Sequence, residues 1–118
     1  MEHRTDLSKV ARGRAGEDAA VRWYLAHGYS VLERNWRSAG GEIDLVCSRD
    51  GTLVICEVKS RRTDRMGAPS EAVTVSKRLR LRRLAAAYLQ ASGGYYVQIR
   101  FDVASLLGRD FTIIEGAF

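Results

Sequence analysis

Between Glu42 and Lys59 apolar and polar positions alternate with a period of two, and Asp50-Gly51 interrupts them. That dipeptide tolerates the positive φ angles of a two-residue type I′ turn, so the stretch predicts a β-hairpin. The turn sets the register: Arg49 faces Thr52, and counting back puts Asp44 directly opposite Glu57. Ile43, Leu45 and Cys47 are expected on one face with Val54, Cys56 and Val58. The other face carries Glu42, Asp44 and Val46, then Leu53, Ile55, Glu57 and Lys59. Both faces are largely apolar, so the sheet is expected to be covered on both sides, with the charged residues half-buried at one end.

The same patterning predicts the remaining elements. A helix through about His27, stopped by Gly28, shows Val10, Ala20, Val21, Tyr24 and Leu25 on one side at 100° per residue, with Glu17 inside that stripe. Taken alone, a carboxylate in that position is best read as an edge residue paired with an arginine. Tyr29–Trp36 alternates as a strand, and Ser38-Ala39-Gly40-Gly41 reads as a turn. Ser60–Pro69 has no periodicity and carries Arg61, Arg62 and Arg65, which predicts a flexible basic loop. From Ser76, with Ser76 or Thr74 as N-cap, to about Ser92 the period is helical, and Gly93-Gly94 ends it. Its apolar stripe is Leu81, Leu84, Ala85 and Tyr88. Strands follow over Tyr95–Val103 and Phe111–Ile114.

The order is αβββαββ. It predicts one α/β domain spanning residues 1–118, residues 1–12 being a flexible lead-in. A mixed central sheet, a three-strand meander plus further strands, would be flanked by the two helices.

Composition changes this picture little. A chain of 118 residues, 46% hydrophobic and 28% charged, is that of an ordinary globular domain. No run approaches the roughly 18–20 apolar residues of a membrane helix, and the polar N-terminus has no signal-peptide core, so no membrane association and a cytoplasmic location are expected. Cys47 and Cys56, without histidine neighbours, read as small buried hydrophobes.

Charge and chemistry change it more. The net charge of +5 favours a polyanionic partner. Lys77, Arg78, Arg80, Arg82 and Arg83 place five positive charges within seven residues of the second helix. A phosphate-binding surface and an ordinary solvated helix face explain that run equally well. The opposed carboxylates of Asp44 and Glu57 repel each other unless a cation intervenes. Mg²⁺ commonly uses only one or two protein carboxylates, and the backbone carbonyl of Val58 could add an oxygen. An ion held there polarises a phosphoryl oxygen and lowers the pKa of bound water. Lys59, on the same strand face as Glu57, could orient that water or stabilise charge on the phosphate. Glu17 could join the metal shell if its helix packs at this end of the sheet.

Asp44 followed by Glu57-Val58-Lys59 on the next strand resembles the PD-(D/E)xK signature of the restriction-endonuclease-like superfamily, with Ile43 where the signature has proline. More closely, the chain resembles the YraN family of small bacterial proteins. The resemblance lies in Gly16-Glu17, Gly28-Tyr29, Arg34-Asn35, Gly41–Val46, Glu57-Val58-Lys59 with Arg61, Glu71-Ala72-Val73, Lys77, Arg100–Val103 and Ala117-Phe118. It implies a restriction-endonuclease-like core with Glu17, Asp44, Glu57 and Lys59 at the superfamily's acidic and lysine positions.

The leading expectation is therefore a nuclease dependent on Mg²⁺ or Mn²⁺ and acting on DNA, branched or damaged DNA included. Asp44, Glu57 and Glu17 would hold metal and Lys59 would assist the water. Arg61, Arg62, Lys77, Arg78, Arg80 and Arg82 would contact phosphates. The alternatives are a nucleic-acid-binding module that keeps the fold without turnover, and a partner-binding protein using Leu79 and Ala86. A homodimer would suit a two-strand-cutting enzyme, although no symmetric motif marks one.

Overall fold

A computed structural model describes residues 2–62 and 73–118, with side chains from residue 13 onward. Helix α1 (Glu2–Ala26) leads into strands β1 (Ser30–Ser38), β2 (Gly41–Arg49) and β3 (Thr52–Arg61). Helix α2 (Val75–Ser92) and strands β4 (Gln98–Leu107) and β5 (Asp110–Ile114) complete the predicted αβββαββ order. Of the predicted basic loop only residues 60–62 are described; Arg65 lies outside the described residues, as do Glu71 and Ala72. No described helix is long and apolar enough to cross a membrane.

The strands form one sheet in the order β1-β2-β3-β4-β5. All neighbours are antiparallel except β3 and β4. A parallel pair cannot be closed by a hairpin, and α2 lies in the connection between them. Asp50 and Gly51 both take positive φ, 49° and 80°, which is the type I′ geometry their sequence predicts. Arg49 accordingly pairs with Thr52, and the ladder runs in step to Leu45 opposite Cys56.

Each sheet face has its own core. Ala20 and Tyr24 of α1 pack with Tyr29, Leu45, Cys47, Val54, Cys56 and Ala104. Leu81, Leu84, Ala85 and Tyr88 of α2 pack with Ile43, Val46, Leu53, Ile55, Phe101 and Val103. Both cysteines are free and fully buried. Burial pushes the Cys47 thiol up to about 12 and that of Cys56 higher still, so neither is a thiolate near neutral pH.

Three expectations are corrected. Leu25 of the supposed α1 stripe is 56% exposed. The side chain of Val10 lies outside the described residues. Ser60 and Arg61 belong to β3 and not to a loop. Strand β4 starts at Gln98, not Tyr95, and continues to Leu107 because its ends are those of its partner: Thr52 pairs with Gln98 and Arg61 with Leu107. Tyr95 and Val97 precede any β3 residue they could pair with and remain exposed.

On β4 the polar alternation conceals a buried charge. Asp102 is fully buried, and its carboxylate accepts from Tyr24 Oη at 2.6 Å, Arg100 Nε and Nη2 at 2.8 Å, and the Gly116 amide at 3.0 Å. Arg100 also donates to Tyr29 Oη at 2.9 Å and pairs with Glu115 at 3.2 Å. Burial, then Cys56 and Asp102, hold the Tyr24 hydroxyl far above its ordinary pKa, so it remains a donor. This network joins α1, β4 and the C-terminal segment. Asp102→Ala would strand Arg100 and Tyr24, and the expected loss is about 3–5 kcal/mol in urea unfolding. A loss under about 1 kcal/mol would show that the network is not a support of the fold.

Candidate functional site

The site lies where the regular ladder ends. Arg34 pairs with Leu45 and Trp36 with Ile43, leaving Asn35 and Asp44 between them. In a regular strand residues two apart share a face. Here Leu45 joins the core under α1 and Ile43 the core under α2. The partner strand does the same: Arg34 reaches Asp18 of α1 at 2.7 Å, whereas Trp36 meets Tyr88 of α2 edge-on, 5.3 Å between centroids. Both strands therefore change face over one step, and Asn35 takes the left-handed φ of 52° that asparagine tolerates better than most residues. The expectation that Ile43, Leu45 and Cys47 share a face fails at this kink.

Beyond Leu45 and Cys56 the β2–β3 ladder does not continue. The Val58 amide instead donates to Asp44 Oδ2 at 2.8 Å, so the carboxylate replaces a backbone acceptor at the end of the ladder. Glu57 is buried beside it. Its Oε1 lies 2.7 Å from Lys77 Nζ and 3.6 Å from Lys59 Nζ. Lys59 shares the strand face of Glu57, as the two-residue period requires.

Helix α1 comes close to β3 at Gly16. Any Cβ there would collide with Ser60 Oγ and stand 3.2 Å from Val58 Cγ1. That close approach places Glu17 at the site's edge, where Oε1 accepts from Asn35 Nδ2 at 3.0 Å and lies 3.7 Å from Arg34 Nη2. The arginine pairing read from sequence is present, with Asn35 added.

The carboxylates crowd each other electrically. Burial, then Glu57, push Asp44 up to about 7; the Val58 amide opposes the rise, while Glu17 and Glu42 add to it. Burial and then Lys77 lower Lys59 below the ordinary lysine range. Burial acts downward on Lys77 as well, but its hydrogen bond to Glu57 and the charges of Glu57 and Asp44 prevail and raise it.

Among the described residues, no three His, Cys, Asp or Glu side chains gather closely enough to form a ligand set. Asp44 and Glu57 nevertheless fit a hard divalent cation in the two-carboxylate mode, since their mutual repulsion and their withdrawal from solvent are what such an ion relieves. Glu17 is held by Asn35 instead of closing a three-carboxylate set.

The predicted phosphate contacts divide. Lys77 turns into the site. Arg78 donates to the Val73 carbonyl at 3.1 Å and lies 5.5 Å over the Phe118 ring. Arg82 stacks on Phe101 at 4.7 Å and Phe118 at 5.7 Å. Both thus hold the C-terminal residue against the sheet. Arg80 and Arg83 line a cavity of about 180 Å³ beside Ser38 and Gly40. Arg62 is exposed. Arg61 is half-buried, and its Nε and Nη1 are buried without a hydrogen-bond partner among the described residues. Sequence reasoning placed Lys77 on the DNA surface and gave Asn35 no role. The available signal for Lys77 was a lysine in the first turn of a helix, where the macrodipole disfavours a cation.

The model of the uncharacterised protein family UPF0102 matches residues 16–106, which include every carboxylate of the site. The chain belongs to this family. It is 44% identical over 98 residues to a UPF0102 protein of Rhodococcus jostii, 83% of each chain being covered. A UPF0102 protein of Beutenbergia cavernae is 50% identical over 101 residues, 85% of each chain. One from Acidothermus cellulolyticus is 40% identical over 130 residues, 97% of this chain and 98% of its own.

The raised Asp44 has a consequence for stability without metal. Its folded pKa lies above its unfolded one, so its contribution is fully present below about pH 4 and is lost as pH rises through about 7. Asp44→Asn keeps an acceptor for the Val58 amide and removes the charge. In EDTA the variant is expected to exceed the parent by about 1–3 kcal/mol, several degrees in Tm, near about pH 8, with the advantage gone near about pH 4. Thermal melts across that range check it; a variant equally or less stable at the alkaline end would contradict the crowding.

Proposed function

We propose that this UPF0102 protein is a divalent-metal-dependent nuclease acting on DNA, branched or damaged DNA being the substrates that prompt the first assays. The observation that supports the reading best is the pair Asp44 and Glu57, set side by side at the end of the ladder with Lys59 on the same face. No ordinary fold requirement calls for a buried carboxylate beside a half-buried one.

Asp44 and Glu57 would hold Mg²⁺ or Mn²⁺. Such an ion, when bound, polarises a phosphoryl oxygen and acidifies water. The chain's own residues supply the rest. Val58 N–H keeps the Asp44 carboxylate in one orientation. Lys59 Nζ, its proton affinity reduced by burial and by Lys77, is suited to accept a proton from the attacking water. Glu17, fixed through Asn35, orients that water from the α1 side. Arg61 and Arg62 at the end of β3, and Arg80 beside the β1–β2 turn, hold phosphates. Arg61 suits this role because its Nε and Nη1 have no hydrogen-bond partner among the described residues.

A second reading is a nucleic-acid-binding module without turnover. It is favoured by Glu57, whose charge two lysines already balance. Incubation with branched, nicked, single-stranded and duplex DNA in Mg²⁺, Mn²⁺ or EDTA separates the two. The nuclease reading expects cleavage that EDTA abolishes and that Asp44→Ala or Lys59→Ala reduces about 100-fold or more. Binding with a steep salt dependence, unchanged by EDTA and by Asp44→Ala, and with no cleavage under any condition, would replace it by the binding module.

A further inference from the structure

Lys77 stands where helix physics argues against it. Thr74 caps α2, its Oγ1 accepting from the Lys77 amide at 3.2 Å, so Lys77 occupies the third helical position. That position favours Glu or Gln, whose side chain can reach back to the cap, and the positive end of the macrodipole disfavours an ammonium. No acidic residue in the first turn offsets it. The compensation comes from the sheet. Lys77 Nζ lies 2.7 Å from Glu57 Oε1, closer than Lys59 at 3.6 Å, and only 22% of the Lys77 side chain is exposed.

Glu57 therefore already has a cation in contact. A divalent ion bridging Asp44 and Glu57 would sit within a few ångströms of that ammonium whichever oxygen it took. Two positive centres so close in a half-buried site repel by several kcal/mol at an effective dielectric constant of about 20. Keeping both in contact with Glu57 costs that repulsion, and release of one removes it. The lysine is the one able to leave: the cap holds its backbone, while its four-carbon stem is flexible.

We propose that Lys77 is the resident counter-ion of the Asp44–Glu57 pair and that a divalent cation binds by displacing it from Glu57. The released ammonium then stands at the mouth of the site, at the positive end of α2, where it meets a phosphate of the bound strand. Metal loading and phosphate binding are thereby coupled through one side chain. This rests on the metal-site reading above.

The test needs no DNA and no turnover. Mn²⁺ is titrated calorimetrically into the whole protein and into Lys77→Gln. Removing the competitor is expected to tighten Mn²⁺ binding roughly tenfold or more. A lysine that merely supports the fold would leave the affinity unchanged or weaken it, and either result in a folded variant overturns the inference while leaving the nuclease reading intact. Absence of Mn²⁺ binding by both proteins at millimolar concentration would remove both. Should Lys77→Gln fail to fold, NMR of the parent protein with isotopically labelled lysine decides. Saturating Mg²⁺ is expected to shift the Lys77 side-chain resonance, and an unmoved resonance overturns the inference.

Discussion

Two neighbouring carboxylates, Asp44 half-buried and Glu57 buried, impose the constraint around which this end of the molecule is built. Neither can be left uncompensated at that depth. Asp44 is satisfied by the Val58 amide, which requires the β2–β3 ladder to stop at Leu45 and Cys56. Glu57 is satisfied by Lys77, which requires α2 to begin at that edge of the sheet. The face change of β1 and β2 at Asn35 and Asp44 follows the same logic, because it carries both strands from the α1 core to the α2 core at the point where the site opens.

The site's geometry also depends on contacts far from it. Helix α1 is secured at two places, Gly16 against β3 and Tyr24 against Asp102. Eight residues separate them, about 12 Å of helix. Glu17 lies one residue from the Gly16 contact, which sets its place, and the Tyr24–Asp102 bond secures the same helix about two turns further on. Asp102 takes no part in the proposed chemistry; it secures α1 to β4 through Tyr24.

The parts legible in the sequence were those governed by local rules. Asp50-Gly51 dictates a turn and the turn dictates register, which holds as far as Leu45 opposite Cys56, one step short of the expected Asp44–Glu57 pair. The Leu81, Leu84, Ala85 and Tyr88 stripe is likewise a local periodicity, and all four residues are buried. What sequence could not supply came from elements meeting across the fold. The start of β4 is set by its parallel partner, so the apolar Tyr95 and Val97 read as strand when they are not. Asp102 alternates with apolar residues as a solvated position would, and only the arrival of Tyr24 and Arg100 makes it a buried one. Leu25 fits the helical stripe, yet it lies about 100° round the helix from the fully buried Tyr24 and falls on the exposed flank. Lys77 belonged by composition to a basic run, and its own charge could not reveal that it points inward.

The basic run shows why net charge is a poor guide to where DNA would lie. Several arginines are engaged within the fold: Arg34 with Asp18, Arg37 with Glu42, Arg100 with Asp102, and Arg78 and Arg82 against Phe118. A stacked guanidinium still contributes to the long-range field, but reaching a phosphate would give up its aromatic contact. The strongest candidates for close phosphate contact form two small groups, Arg61 with Arg62 at the end of β3 and Arg80 with Arg83 beside the β1–β2 turn. Ser38 pairs with Gly41 at the start of β2, so that turn lies at the same sheet end as Asp44, and β3 reaches Arg61 just past Glu57 and Lys59. The two groups therefore flank the carboxylates. A strand spanning both would be drawn across Asp44 and Glu57 by position, with the total charge of the chain mattering much less than the placement of these four side chains.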